Sequence, residues 1–174
     1  MKELVEICKE YISAIRIKNA NGQSRGVRQM ELSAYFTHCN LQPAHLALAL
    51  NLAMSQSFKG GNFIYAASYA RRLLELPDMV VAKADFRNKA AAVLKKSEEN
   101  ARNEQKLSFD ERNPFVLDCS DLVPIYKGTP FAICAFCGSN YKAEMKGSIC
   151  LTCRLSVIGV ETLGLVTQSQ AKRQ

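Results

Sequence analysis

Residues 134–153 read CAFCGSNYKAEMKGSICLTC, two Cys-x-x-Cys pairs separated by twelve residues. Two residues between cysteines let both sulfurs reach one ion, and the N–H groups of the turn can point at the thiolates. Gly138 follows the first pair, at a position where the backbone commonly needs a positive φ. Two such knuckles on neighbouring hairpins make a tetrahedral four-sulfur site, the usual structural arrangement for zinc. We therefore expect Cys134, Cys137, Cys150 and Cys153 to hold a structural Zn2+. All four positions of that site are protein ligands, which leaves none for water or substrate. A redox Cys-x-x-Cys normally stands alone near a βαβ unit, and no such unit is visible.

The surrounding segments support a small β-rich domain. FVLDC, LVPIY, NYKAE, SVIGV and GLVT, between residues 115 and 167, are short β-branched and aromatic runs separated by Pro and Gly. A domain of this size has little core, so metal binding would contribute to its folding. Cys8, Cys39 and Cys119 are scattered singles and read as small buried apolar residues.

Upstream the periodicity is helical. Leu4, Ile7, Cys8, Tyr11, Ile12 and Ile15 form one stripe of an amphipathic helix over residues 2–18. NANGQSRG, residues 19–26, reads as a loop. A second helix is expected from about Val27 to Cys39, followed by Pro43 at the first turn of a third. That third helix, AHLALALNLAMSQSF, is apolar nearly all round and is expected to be the buried one. Gly60-Gly61 breaks the chain, Asn62 is a candidate N-cap, and Ala66, Ala67 and Ala70 permit close helix contact in a fourth helix that ends at Pro77. A fifth runs from about Asp78 to Glu99, with Val80, Val81, Ala84, Ala91 and Leu94 facing inward. The pair at 43–76 looks like one unit of a tetratricopeptide-type stack. The expected architecture is α+β: an antiparallel helical, solenoid-like domain at 1–100, a polar linker at 101–112 and a β-rich zinc-ribbon-like domain at 113–174.

Charge and composition narrow the function. The formal net charge is +7, with 14 Lys/Arg against 9 Asp/Glu in residues 1–100 and 9 against 7 beyond. Zinc held by four thiolates adds about −2, which brings the ribbon half close to neutral. The basic excess is thus spread thinly over the helical half and reads as a solvated surface rather than a phosphate-binding stripe. A nucleic-acid-binding zinc ribbon is the alternative reading, motivated by the high isoelectric point and by Phe131, Phe136 and Tyr141 near the knuckles. A zinc enzyme would need an open coordination position. The two histidines, His38 and His45, read as surface or capping residues, and Asp110-Glu111 as solvated acids. No phosphate loop, nucleophile elbow or separated carboxylate pair occurs, so no catalytic residue and no small-molecule substrate are expected. No run approaches the roughly 18 to 20 apolar residues of a membrane span, and the acids near the N-terminus are unlike a signal peptide. These features suggest a soluble intracellular protein.

Four strings carry a resemblance: LSAYFTHCNLQPAHLALALNLA at 32–53, KGGNFIYAASYARRLLEL at 59–76, NPFVLDCSDLVPIYKGTPFAICAFC at 113–137 and KGSICLTCRLSVIG at 146–159. In this order, across about residues 25–167, they resemble the C-terminal domain of the coatomer alpha subunit of the COPI vesicle coat; the first twenty-five residues and the tail TQSQAKRQ match loosely. The resemblance implies a non-enzymatic assembly domain that binds the coatomer epsilon subunit, itself a tetratricopeptide solenoid, and other coatomer subunits. It implies a cytoplasmic protein, peripheral on Golgi membranes and coated vesicles, that meets the membrane only through the assembled coat. The transport implied is Golgi-to-ER and intra-Golgi. The propellers that read cargo signals in that family have no counterpart in these residues. No nucleic-acid partner is expected on this reading.

Overall fold

The computed structural model describes residues 2–77 and 84–160. Five helices come first: α1 (Lys2–Gln23), α2 (Gly26–Phe36), α3 (Pro43–Lys59), α4 (Phe63–Leu74) and α5 (Ala84–Glu99). Four short strands follow: β1 (Phe115–Leu117), β2 (Pro124–Tyr126), β3 (Phe131–Ile133) and β4 (Asn140–Lys142), with a 3-10 turn at Ala143–Met145. The chain forms two compact units, one of residues 10–110 and one of residues 1–9 with 111–174. The α+β class expected from the sequence is what the chain adopts. Among the described residues no helix is long and apolar enough to cross a membrane.

In the helical unit, Pro43 stands in the first turn of α3 and Gly60-Gly61 turns the chain straight into α4. The small side chains of Ala66, Ala67 and Ala70 are buried, as are Ala47, Ala49 and Ala53 on α3. Small residues on both facing surfaces let the two backbones approach closely. Leu50, Met54, Tyr69 and Leu73 fill the space around them. Contrary to the expectation for α3, its burial is one-sided: Leu48 is half exposed, because nothing among the described residues closes over that face.

Several boundaries differ from the sequence reading, each for a tertiary reason. The expected loop at 19–26 is shorter, since α1 continues to Gln23. Asn21 is buried, and its amide exchanges two hydrogen bonds with Gln56 and donates a third to the Gln29 carbonyl at 2.7 Å. Those bonds offset the poor helix propensity of Asn-Ala-Asn-Gly. The second helix ends at Phe36 rather than Cys39, where Thr37 turns the chain and Arg72 donates to both the Thr37 hydroxyl and its carbonyl. The buried face of α5 is Ala90, Val93 and Ser97, one position off the expected stripe: Ala91 is exposed and Leu94 only half-buried. Val80 and Val81 lie outside the described residues, as does the side chain of Ala84.

Asn62 does not act as a side-chain cap. Its carboxamide turns away, accepts the Gln105 N–H at 2.9 Å and donates to the Gln105 carbonyl at 3.0 Å. The polar run after residue 100 is thereby fastened to the helices. Glu31, also buried, accepts the Ser108 N–H at 2.8 Å, and Phe109 packs edge-on against Tyr35 with ring centres 5.4 Å apart. Removal of a buried amide that satisfies two backbone groups leaves both unpaired, so Asn62→Ala should destabilise the helical unit by about 2–3 kcal/mol. Urea denaturation followed by helical circular dichroism measures this.

In the β-rich unit, β1 pairs antiparallel with β2 and β3 with β4. The strand Phe131–Ile133 has no counterpart in the sequence reading, since three residues after Pro130 show no period-2 pattern. NYKAE is a strand only through Lys142, and SVIGV contributes isolated bridges, Cys134 with Ile158 and Ile149 with Val157, rather than a ladder. GLVT lies outside the described residues. The core of this unit is small: one cluster holds Cys119, Ala132, Cys134, Cys137, Tyr141, Cys150 and Ile158, with Met145 and Cys153 against it, and Leu122 and Ile125 are buried in the β1–β2 hairpin.

Candidate metal centre

The two knuckles are built alike. In the first, the Gly138 N–H donates to the Cys134 carbonyl at 2.8 Å and the Cys134 N–H to Ser139 O at 2.9 Å. In the second, Arg154 N–H donates to the Cys150 carbonyl at 2.9 Å and Cys150 N–H to Ser156 O at 2.8 Å. The residue after each pair is left-handed, Gly138 at φ 71° and Arg154 at φ 57°. The positive φ expected at Gly138 is present, and a non-glycine residue repeats it at Arg154. That conformation costs a side-chain-bearing residue on the order of 1 kcal/mol. Arg154→Gly should therefore raise the stability of this unit by about 0.5–1 kcal/mol, read as a small increase in its melting temperature with metal bound.

These turns bring the four sulfurs together. Cys134 Sγ is 3.7 Å from Cys153 Sγ, Cys137 Sγ is 3.5 Å from Cys150 Sγ, and all four lie within 4.8 Å of one another. None of the seven cysteines is in a disulfide. Four sulfurs bound tetrahedrally at about 2.3 Å from zinc would be about 3.8 Å apart, so the cluster has the dimensions a metal ion requires. Cys134, Cys137 and Cys150 are buried and Cys153 is half-buried.

The electrostatics also suit a cation. Burial pushes the Cys137 thiol up to about 12, against the opposing hydrogen bond with the Ser139 hydroxyl at 3.1 Å. Burial also acts to raise Cys150, but the Tyr141 hydroxyl and the N–H groups of Cys153 and Thr152 outweigh it and bring Cys150 down to about 6. Cys153 is raised, first by burial and also by the neighbouring thiols. The protein supports the Cys150 thiolate, while Cys137 and Cys153 ionise readily only if a positive charge joins them.

Two residues around the cluster carry no local signal for this role in the sequence. Tyr141 is fully buried, its hydroxyl accepts the N–H of Leu151 at 3.0 Å and of Thr152 at 3.2 Å, and it lies 3.2 Å from both Cys150 Sγ and the Thr152 hydroxyl. It is therefore no surface stacking residue of the kind a nucleic-acid reading needs, unlike the exposed Phe131 and Phe136. Asp118, also fully buried, accepts hydrogen bonds from the N–H and hydroxyl of Ser120 and, at 2.7 Å, from the N–H of Lys142 on β4. With the Cys119 N–H donating to Asn140 O at 2.9 Å, it ties the β1–β2 hairpin to the strand that carries Tyr141. Only the alternation of Tyr141 within a short strand hints at burial; nothing local marks Asp118. The two histidines are not brought together: His45 Nδ1 is 2.7 Å from the Tyr11 hydroxyl, and His38 meets Phe109 edge-on.

Comparison with known proteins identifies the family. The family model for the C-terminus of the coatomer (COPI) alpha subunit matches residues 1–173, so the likeness includes the first twenty-five residues that the strings alone do not cover. The chain is 42% identical to coatomer subunit alpha of Dictyostelium discoideum over 176 aligned residues, covering 95% of this chain and 14% of that protein. It is 42% identical to coatomer subunit alpha-1 of Arabidopsis thaliana over 169 aligned residues, again 95% of this chain and 14% of that protein. With coatomer subunit alpha of Saccharomyces cerevisiae the identity is 30% over 166 residues, 94% of this chain and 14% of that protein. The chain thus spans about 14% of the length of these relatives. With its helical unit, its four-thiol ribbon and this match along nearly its whole length, the chain belongs to the family of C-terminal domains of coatomer alpha.

Proposed function

We propose that the chain is a non-enzymatic assembly module of the COPI coat that binds the coatomer epsilon subunit and, with it, other coatomer subunits. Its place would be cytoplasmic, peripheral on Golgi membranes and coated vesicles, in Golgi-to-ER and intra-Golgi transport. Zn2+ held by Cys134, Cys137, Cys150 and Cys153 is structural in this reading: it fixes two hairpins so that they present one shape. Family membership carries the proposal. The ribbon surface supports it, because Phe131, Ile133, Ile149, Leu155, Val157 and Val160 are all exposed on a unit with a small core of its own. Exposed apolar side chains at this density suit burial against a partner. Phe131, Ile133 and Val160 line one shallow depression, and Phe131 and Ile133 project from the same face of β3.

Co-purification of the zinc-loaded chain with recombinant epsilon tests this. A complex is expected at micromolar concentrations or tighter. Ile133→Glu, at an exposed position, should weaken it at least about tenfold, the cost of burying one unpaired carboxylate. Absence of a complex with the wild-type chain would refute the assignment of this partner.

A further inference from the structure

We propose that the groove between α1 and α3 is a docking site for an amphipathic helix with acidic flanks, supplied by another protein. The two helices are joined at two points. At one, Tyr11 and His45 hydrogen-bond and meet edge-on with ring centres 5.5 Å apart, and Tyr11 also accepts the Gln42 N–H at 3.2 Å. At the other, the carboxamides of Asn21 and Gln56 pair reciprocally at 3.1 and 2.9 Å. Between these anchors the helices stand apart and leave a cavity of about 490 Å³, walled by Ala14, Ile15, Lys18, Phe36, Leu48 and Leu52. Ile15 is 56% and Leu48 49% exposed.

The shape favours a helix. The α1 wall is set by residues 11, 14, 15 and 18, and the α3 wall by 45, 48, 52 and 55. These are the three- and four-residue steps whose ridges accept a third helix. From His45 to Ser55 the groove runs about 15 Å, the length of roughly three helical turns.

The charges select the occupant. Among the described residues no carboxylate lines the groove, whereas Lys18 does. A second ammonium stands at its edge, where Lys89 Nζ donates to the Ser55 hydroxyl at 2.7 Å. Neither lysine has a carboxylate partner among the described residues. Acids flanking an apolar stripe would pair with both ammonium groups. A second copy of the chain, at net charge +7, and residues 161–174, with one acid against two bases, are both of the wrong sign. The groove lies within residues 11–55 and the ribbon surface proposed for epsilon within residues 131–160, so the two are probed by different substitutions.

The test is selection from a displayed library of amphipathic helices about 16 residues long, random outside the apolar stripe, against the zinc-loaded 174-residue chain. Recovered peptides are then measured by fluorescence anisotropy. The expected result is enrichment of Asp and Glu over Lys and Arg beside the stripe and binding that weakens with salt. It also includes at least a tenfold loss of affinity in Leu48→Glu and, separately, in Ile15→Glu. Both positions are exposed, and an unchanged helical melting temperature identifies the variants as folded. Three outcomes overturn the proposal: no enriched helix, enrichment without acidic bias, or binding indifferent to both substitutions. A dimer in sedimentation that Leu48→Glu dissolves would assign the groove to a second copy and overturn it equally.

Discussion

Cys137→Ser and Cys150→Ser are each expected to abolish tight metal binding and unfold the β-rich unit while helices α2 to α5 keep their circular dichroism. The size of the effect follows from how little else holds that unit. Apart from the four thiols, its buried apolar residues among those described are Cys119, Leu122, Ile125, Ala132, Tyr141 and Ile158, and its strands are three residues each. Full burial of an aliphatic or aromatic side chain contributes about 1.5–3 kcal/mol, and ordering one residue costs about 1–2 kcal/mol. A core this small cannot offset the ordering of the loops around it. Metal binding to a four-thiolate site contributes on the order of 10 kcal/mol, enough to decide the balance. Without the ion, Cys137 is a buried thiol pushed up to about 12 beside Cys150 held near 6. A serine at either position removes a sulfur, so the remaining three lose the closed cage. Amide chemical-shift dispersion of residues 113–160 reads the outcome directly: collapse to the unfolded range is expected, and retained dispersion in both variants would show that the fold does not need the site.

Asp118→Ala should have the next largest effect, a loss of about 3–5 kcal/mol from the β-rich unit. The carboxylate satisfies the N–H groups of Ser120 and Lys142 and the Ser120 hydroxyl from a fully buried position. Hydrogen bonds to a charged group contribute about 1.5–3 kcal/mol each, and truncation leaves their donors unpaired. The expected pH dependence has a definite sign. Burial works to raise the Asp118 carboxyl, but the hydrogen bonds from Ser120, Lys142 and Asp121 outweigh it and hold it below its usual 3.8. The unfolded chain therefore takes up this proton first as acid is added. The contribution of Asp118 is present in full above the unfolded value, near 3.8, and is lost as pH falls through the lower folded value. Asp118→Asn keeps one acceptor oxygen but turns an N–H2 toward a donor, so it should retain part of the stability and lose this acid dependence. Chemical denaturation of the metal-loaded chain at neutral pH measures the loss in both variants, and the acid dependence is read as the difference between wild type and Asp118→Asn as the pH falls, since release of the metal by protonation of the thiolates is common to both.

What the sequence shows of this protein depends on how local each feature is. The knuckles are legible because their ligands are three residues apart and because Gly138 marks the left-handed turn between strand and loop. The α3–α4 pair is legible from Pro43, from Gly60-Gly61 and from the run of alanines. The pairings that position these elements leave no such mark. Asn62 meets Gln105 across 43 residues and Asn21 meets Gln56 across 35. Asp118 meets Lys142 across 24, and Tyr141 meets Cys150 across nine. In each case one polar side chain satisfies distant groups, and its residue type is equally common in solvated loops. Asn62 reads as a cap for that reason, and Asn19 to Gln23 as a loop, because propensity speaks only for the isolated segment. The strand at Phe131–Ile133 is invisible because three residues cannot display an alternation.

The claim on which the rest stands is that the four thiols close on one metal ion that the ribbon needs in order to fold. X-ray absorption at the metal edge of the purified chain, paired with elemental analysis, tests it most directly. One zinc per chain is predicted, surrounded by four sulfurs at about 2.3 Å, with loss of the ribbon's structure when a chelator removes it. A chain that carries no stoichiometric metal, or whose ribbon melts at the same temperature before and after chelation, would contradict the account.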